Sequence, residues 1–382
     1  MIGFILATAV PSFLVSLAFG FLVRKLAPRF GLVDQPGYRK VHTFPVPLGG
    51  GLAIWAGIVL PLFVGIVVLP NRPFYTLLEK VPQADSIVRL LQTHAGGIRQ
   101  QSGDLLFLLV CATVLMLLGL ADDRRGLDWR LRLAVQFAIA AVVVFWKGWK
   151  LTVFVDAPAL TNIISVLWIV GLINSFNMLD NMDGLSAGVA AIAAAMLAAV
   201  LLLAPDPESN SPQLFVAGFL FVLVGSLVGF LWHNRPPARL FMGDAGSYLV
   251  GFLLAVTTML ATFAGGDLPR HAILAPLCVL AVPLYDTMSV VWIRLSSGRS
   301  PFEGDKNHFS HRLVDLGLTK PQAVLTIYLA TAACGLSALV LHQVNTAGAV
   351  TIVLSIACLL AVIAILETTA RRRAKSERNR NR

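Results

Sequence analysis

Charged residues are scarce in this sequence, and cysteine is scarcer still. Asp, Glu, Lys and Arg make up 13% of the 382 residues, about half the share of a soluble globular domain. A basic segment ahead of the first apolar run is also missing, which predicts a membrane anchor and not a cleaved signal peptide. The 4 cysteines lie inside apolar runs, so their spacing predicts neither a disulfide framework nor a cysteine metal site. These cysteines are Cys111, Cys278, Cys334 and Cys358.

Long apolar runs occupy most of the chain. The composition is 57% hydrophobic with a mean hydropathy of +0.78, and stretches of about 20 apolar residues recur, the length that crosses a bilayer as a helix. The sequence therefore predicts an all-α polytopic membrane protein with about eleven spans. We place them near 2–23, 48–69, 104–121, 131–147, 160–178, 186–204, 212–231, 246–264, 271–293, 322–342 and 346–367.

The distribution of Lys and Arg predicts the orientation in the membrane. Of the 30 such residues, 23 fall in five alternating segments that must share one side: 24–47, 121–132, 232–245, 294–320 and 368–382. Because cytoplasmic segments carry the excess of Lys and Arg, we expect the N-terminus outside and the C-terminus in the cytoplasm. The opposite side holds the other 7, mostly in the segment 70–104, which we expect to be an irregular outer loop around Gly96 and Gly97.

The organisation is predicted to be one membrane domain, residues 1–367, followed by a disordered basic cytoplasmic tail, residues 368–382. Attraction to anionic lipid accounts for such a tail. Neither aromatic residues nor a motif in it indicates nucleic-acid binding, so the expected partners are a membrane and its lipids.

The most informative stretch runs from Asn174 to Gly188 at the end of an apolar run. It places Asn174, Asn177, Asp180 and Asp183 at three-residue intervals, a step that turns an ideal helix by about 300°. If the helix breaks near Asp183, these side chains line one wall of a cleft. Carboxylates where a membrane helix meets water are costly and usually functional, so a site on the cytoplasmic face is predicted here.

Two other inner segments carry acidic residues. Asp122 and Asp123 follow the third span, where one carboxylate can reach a cation while the other orients a neighbour; a plain charged helix terminus is the alternative. Asp244 stands in Gly-Asp-x-Gly-Ser at the start of a span. It fits either a helix N-cap or a ligand of Mg²⁺, which favours one or two carboxylates plus substrate phosphates. Asp286 lies partly within the bilayer, where it can pair with a loop arginine.

Cations gather in two inner loops. Arg39, Lys40 and His42 lie between Pro-rich turns, where a topology signal and a phosphate-binding role remain equally open. His308 and His311 are neighbours on a helical face, but too few ligands surround them for zinc. With Lys306 and Arg312 beside them, these two histidines fit phosphate recognition better.

Taken together, these segments resemble the polyprenyl-phosphate N-acetylhexosamine-1-phosphate transferases over roughly residues 30 to 315. This family includes the bacterial undecaprenyl-phosphate GlcNAc-1-phosphate transferases, whose eleven-span layout is similar, and the phospho-MurNAc-pentapeptide transferase. The motifs that carry the resemblance are Arg39-Lys40-x-His42, Asp122-Asp123, Asn174-x-x-Asn177-x-x-Asp180-x-x-Asp183-Gly-Leu, Phe241-Met-Gly-Asp244-x-Gly-Ser and His308-x-x-His311-Arg312.

The resemblance implies a Mg²⁺-dependent phosphotransferase, with Mn²⁺ as the expected substitute. It would move N-acetylhexosamine-1-phosphate, GlcNAc-1-phosphate first among the candidates, from a UDP-sugar to undecaprenyl phosphate, releasing UMP. Such a reaction initiates a cell-envelope glycan or polysaccharide at the inner (cytoplasmic) membrane. The sugar, the pathway and the oligomeric state remain open, with a homodimer as one option.

The resemblance also implies residue roles. Asp244 would ligate Mg²⁺ together with Asn177, Asp122 and Asp123 would lie at the reacting phosphate and the lipid phosphate, and Asp183 and Phe241 would hold the uracil. His308, His311 and Arg312 would bind the diphosphate and sugar side. The predicted catalytic residues are Asp122, Asp123, Asp180, His308 and His311. The predicted substrate-binding residues are Arg39, Lys40, His42, Asn174, Asn177, Asp183, Phe241, Lys306 and Arg312.

Two positions depart from the family pattern. Asn181 stands where the family usually has Gly, and Ser310 takes the middle position of a motif that is commonly His-x-His-His. The first departure bears on the turn before Asp183, and the second on sugar recognition more than on the transfer chemistry.

Two alternatives are distinguished by sequence features. The MurNAc-pentapeptide enzyme of the same family is disfavoured by the eleventh span, the basic tail and the Arg-Lys-x-His loop. An ion-coupled secondary transporter predicts carboxylates at the bilayer centre and an inverted repeat. The sequence instead gathers its polar residues at one membrane face.

Overall fold

The computed structural model describes residues 1–35, 44–68, 85–151, 157–204, 206, 211–265, 268–300 and 308–380, with the backbone alone at 68, 85–99 and 369–380. Its α-helices, in chain order, are α1 (Ile2–Leu26), α2 (Gly50–Val68), α3 (Asp85–Arg125), α4 (Trp129–Ala141), α5 (Pro158–Leu179), α6 (Leu185–Leu203), α7 (Leu214–Asn234), α8 (Gly243–Leu260), α9 (Ala275–Val279), α10 (Ala281–Ser296), α11 (Phe309–Asp315), α12 (Lys320–Leu339) and α13 (Thr346–Arg380). A 3₁₀ turn follows α1 at Ala27–Phe30, another precedes α9 at Arg270–Leu274, and a π-helical turn, Val142–Trp146, extends α4.

The helices confirm the prediction of an all-α polytopic membrane protein. Within the described ranges, 10 helices are long and apolar enough to cross a membrane. The segments Arg270–Val279 and Ala281–Ser296 are bent by 67° at a short break, and together they count as an eleventh span. This broken pair occupies the predicted ninth span, while the side of the membrane on which each terminus lies stays a prediction.

Helix α8 forms the centre of the bundle. Every residue from Ala245 to Met259 is buried, and α2, α3 and α5 pack around it. A side chain on Gly119 of α3 would collide with the backbone of Asp244, so glycine at this position lets α3 pass directly against the first turn of α8. The first turn of the central helix therefore lies in direct contact with α3.

A short hairpin lies beside the N-terminus of α8. Strands β1 (Val33–Asp34) and β2 (Val46–Pro47) are antiparallel. The Phe241 N–H donates to the Pro47 carbonyl over 2.9 Å, and the Gly50 N–H donates to the Phe241 carbonyl over 2.8 Å. The segment between the strands carries Arg39, Lys40 and His42, which lie outside the described residues.

Two predicted irregular segments are helical. The expectation of a loop around Gly96 and Gly97 is wrong, because α3 begins at Asp85 and runs without a break to Arg125. A glycine in a helix costs only about 1 kcal/mol, which a helix continuous with a membrane span tolerates. Helix α13 likewise continues to Arg380, through most of the segment predicted as a disordered tail. The division into a membrane domain and a tail stays a prediction.

Candidate active site

The polar stretch that begins at Asn174 breaks after Leu179 and forms a tight turn before α6. Gly184 has a φ of 77°, which glycine adopts without strain. Its N–H donates to the Asn234 side chain over 2.9 Å, and its carbonyl accepts from the Tyr328 hydroxyl over 2.5 Å. The turn is therefore fixed from α7 and from α12, and it holds its carboxylates at a defined place.

Asp180 and Asp183 both reach the segment that leads into α8. The Gly243 N–H donates to Asp180, and the Ala238 N–H donates to Asp183 over 2.9 Å. Burial raises the pKa of Asp180 to about 8, and the nearby charge of Asp123 acts in the same direction. Without a counter-charge, Asp180 therefore holds a proton at neutral pH.

Asp123, near the end of α3, caps the N-terminus of α8. Its carboxylate accepts from the N–H of Asp244 over 2.8 Å and from the N–H of Ala245 over 3.2 Å. The residue at the N-cap position itself is Met242, which makes no side-chain cap. The N-cap interpretation of Asp244 is therefore wrong, because Asp123 performs that function and Asp244 lies in the first turn.

Asp122 is buried in a network of donors. It accepts from the Leu127 N–H over 2.7 Å, from Arg132 of α4 over 2.6 Å, and from the Tyr248 hydroxyl over 3.1 Å. Arg132 also lies 3.7 Å from the Asp244 carboxylate. Asp122 thus holds an arginine between the ends of α3 and α8, and sequence reasoning did not single out this arginine.

Asp244 faces the end of α5. The Asn177 amide donates to Asp244 over 2.6 Å and to the Ser247 hydroxyl over 3.1 Å. The carboxyl groups of Asp244 and Asp122 lie within hydrogen-bonding reach of each other. The predicted metal pair, Asp244 and Asn177, is therefore in direct contact.

The side-chain oxygens present at this site are ligands that fit Mg²⁺. Four carboxyl groups gather here, those of Asp122, Asp123, Asp180 and Asp244, and they offer the hard oxygen ligands that this ion requires. Among the described residues, however, no three or more His, Cys, Asp or Glu side chains are placed to hold one metal ion together. Mg²⁺ suits such a site because it takes few protein ligands and completes its shell with water and phosphate oxygens.

Other predicted residues lie further from this cluster or outside the description. Asn174 donates to Gln136 of α4 over 2.7 Å and to the Val170 carbonyl over 2.8 Å, so its amide joins α5 to α4. Phe241 is partly exposed beside the hairpin. Lys306 lies outside the described residues, as Arg39, Lys40 and His42 do.

A fully buried carboxylate orients the first histidine. Asp286 of α10 is 0% exposed, lies 3.1 Å from Nδ1 of His308, and accepts from the Phe309 N–H over 2.6 Å. It therefore fixes both the imidazole and the first turn of α11. His311 is partly exposed, with its ring centroid 6.4 Å from that of His308.

Arg312 lies inside the bundle. Its guanidinium donates to the Ser289 hydroxyl over 2.7 Å and lies 3.0 Å from the carboxylate of Glu367 in α13. The Tyr285 hydroxyl donates to the same carboxylate over 3.1 Å. Arg312 thus ties α11 to α10 and to the last helix.

Helix α11 meets the acidic cluster through the polar turn. The Ser310 hydroxyl donates to the Asn181 side chain over 2.5 Å, next to Asp180. The structure therefore brings Asp122, Asp180, Asp244 and His308 together at one end of the bundle. The fold and this cluster define the class: a multi-pass membrane protein with a polar site where its helices end.

Comparison with known proteins gives the family. Residues 105–262 match the family described as glycosyl transferase family 4. The chain is 30% identical over 331 residues, 84% of this chain and 80% of the relative, to a probable undecaprenyl-phosphate N-acetylglucosaminyl 1-phosphate transferase of Bacillus subtilis. It is 33% identical to a decaprenyl-phosphate N-acetylglucosaminephosphotransferase of Mycobacterium tuberculosis, with coverage of 80% and 75%. It is 29% identical to the undecaprenyl-phosphate alpha-N-acetylglucosaminyl 1-phosphate transferase of Escherichia coli, with coverage of 84% and 79%. The chain therefore belongs to this family of membrane transferases, which confirms the resemblance drawn from its motifs.

Three residues of the site escaped sequence reasoning or were ranked low. Asp286 and Glu367 each stand in an otherwise apolar span, and an ionisable residue in that position is itself a signal of function. Arg132 lies at the start of a span, where an arginine is indistinguishable from a topology signal.

Proposed function

We propose that this enzyme transfers GlcNAc-1-phosphate from UDP-GlcNAc to a polyprenyl phosphate of the undecaprenyl type and releases UMP. The observation that carries the proposal is the gathering of Asp122, Asp180, Asp244 and His308 at one end of a membrane bundle. The names of its relatives supply the substrate class. The excess of Lys and Arg on this side supports a cytoplasmic site in the inner membrane.

Asp244 and Asn177 are the residues proposed to hold Mg²⁺, because they are in direct contact within the acidic cluster and each carries a side-chain oxygen. When bound, the ion neutralises charge on the donor diphosphate. Asp123 contributes by fixing the first turn of α8 and thereby the backbone of Asp244.

The reaction needs positioning more than proton transfer. An oxygen of the lipid phosphate forms a bond to the β-phosphorus of the UDP-sugar, and the bond from that phosphorus to UMP breaks. The second pKa of a phosphate monoester is near 6, so the acceptor is largely dianionic at neutral pH. Direct attack is therefore favoured over a covalent aspartyl intermediate. Asp122 orients Arg132 beside Asp244, where the guanidinium can bind a phosphate oxygen.

The donor is proposed to lie along the polar turn and α11. Asp183 binds the uracil and Phe241 stacks on it; a carboxylate accepts several hydrogen bonds, so the contact of Asp183 with the Ala238 N–H is compatible with this role. His308 and His311 bind the diphosphate and sugar. Arg312 acts from inside the bundle by holding the helix that carries both histidines.

A UMP-release assay with purified protein, Mg²⁺ and undecaprenyl phosphate tests the proposal. We expect release with UDP-GlcNAc that depends on the lipid, and little with UDP-MurNAc-pentapeptide. Lipid-independent uptake of a solute without UMP release would favour the transporter alternative. Phosphorylated protein after incubation with the UDP-sugar alone would overturn direct attack.

A further inference from the structure

The two departures from the family pattern contact each other. The Ser310 hydroxyl donates to Oδ1 of Asn181 over 2.5 Å, and Nδ2 of Asn181 donates to the Met178 carbonyl over 2.8 Å. Because the amide nitrogen only donates and the amide oxygen only accepts, these two partners fix the orientation of the Asn181 side chain. Ser310 is 1% exposed, so its hydroxyl has little water to bond with instead.

Asn181 thereby performs two tasks that glycine cannot. The Met178 carbonyl belongs to the last turn of α5, where carbonyl groups have no partner within the helix, and Asn181 supplies one. The same side chain then accepts from α11. A larger side chain at position 310 would have to find space in a place where serine is already buried. The asparagine and the serine are therefore complementary, because one accepts the hydrogen bond that the other donates.

We propose that Asn181 and Ser310 are a pair of positioning residues that set where His308 and His311 stand relative to Asp180. Asp286 holds the first turn of α11 from the α10 side, and the Asn181–Ser310 hydrogen bond holds it from the acidic side. The Ser310 side chain then contacts the turn that contains Asn181. On α11, His308 and His311 are left to bind the UDP-sugar. This inference rests on the proposed function, since its readout includes UMP release.

A double-mutant cycle of Asn181→Gly and Ser310→Ala tests the pair. We expect each single variant to lower kcat/KM for UDP-GlcNAc about tenfold, which corresponds to about 1.4 kcal/mol, and chiefly through kcat. The double variant should be no worse than the poorer single variant, because both remove the same bond. Thr331→Ala is the control: Thr331 is buried but donates only to the Ile327 carbonyl of its own helix, so kcat/KM should change less than twofold.

Placing the usual family residues at positions 310 and 181 gives a second test. Ser310→His alone should be poorly active, and adding Asn181→Gly to it should recover activity. Multiplicative losses in the cycle, or no recovery in the exchange, would each overturn the pairing. If wild type releases no UMP from any UDP-sugar, the proposed function fails, yet the same cycle measured by thermal unfolding still decides whether the two residues are coupled.

Discussion

Replacing Asp123 with Asn separates a structural role of this carboxylate from a direct role in transfer. Asp123 accepts two backbone N–H groups at the N-terminus of α8, over 2.8 and 3.2 Å. A hydrogen bond to a charged group contributes about 1.5–3 kcal/mol, and the helix dipole adds about 0.3–1 kcal/mol. Asn keeps one neutral acceptor and turns its amide N–H₂ towards the other backbone N–H. We therefore expect a loss of about 2–3 kcal/mol in the free energy of unfolding.

Thermal unfolding in detergent micelles measures this loss. We expect the Tm of Asp123→Asn to fall by several degrees, and kcat to fall with it as Asp244 loses its fixed position. Asp128→Asn is the matched control, because Asp128 also caps a helix, by accepting from the Arg130 N–H over 2.8 Å, but does so at an exposed position. Asn and Asp cap helices about equally well there, so its Tm should shift by less than one degree. An unchanged Tm together with a thousandfold loss of UMP release would refute the reasoning and assign Asp123 directly to the chemistry.

Three further predictions follow from the site. Asp244→Ala should abolish UMP release while the protein stays folded and inserted; activity retained at saturating Mg²⁺ would remove Asp244 from the metal role. Asp180→Asn should raise the Tm in metal-free buffer at pH 9 but not at pH 4, because a folded pKa of about 8 against an unfolded value of 3.8 costs stability progressively as pH rises between them. Equal Tm differences at both pH values would contradict this. Asp286→Asn should lower kcat about 10- to 100-fold with little change in KM, because His308 loses its charged orienting partner; an unchanged kcat would show that the imidazole is oriented by other contacts.

The spans and the acidic motif were predictable because both depend on local patterns. Hydropathy placed the membrane spans, although not the extensions of α3 back to Asp85 and of α13 to Arg380. The polar stretch predicted a helix break near Asp183, which lies in the turn that follows Leu179. The partners were not predictable, because they join residues far apart in the chain. Asp123 bonds to the backbone of Asp244 and Ala245, and no local pattern distinguishes such a contact from an N-cap supplied by Asp244 itself, the alternative to metal binding that the sequence left open.

The burial of Arg312 also escaped prediction. In the sequence it reads as a loop cation beside two histidines, which favours a surface role in phosphate binding. Its partner Glu367 comes 55 residues later in a span of its own, so only the packed bundle reveals that the guanidinium points inward.

The tie between Arg312 and Glu367 has a consequence for how the molecule matures. During synthesis α11 leaves the ribosome before α13. The guanidinium of Arg312 therefore has one carboxylate neighbour, Asp286 at 3.9 Å, before the other, Glu367, is made. Only when α13 inserts does Arg312 gain the Glu367 carboxylate, and with it the contact between α11 and the last helix. The placement of α11 is thereby coupled to completion of biosynthesis, and we expect a chain truncated ahead of residue 367 to enter the bilayer without this ion pair.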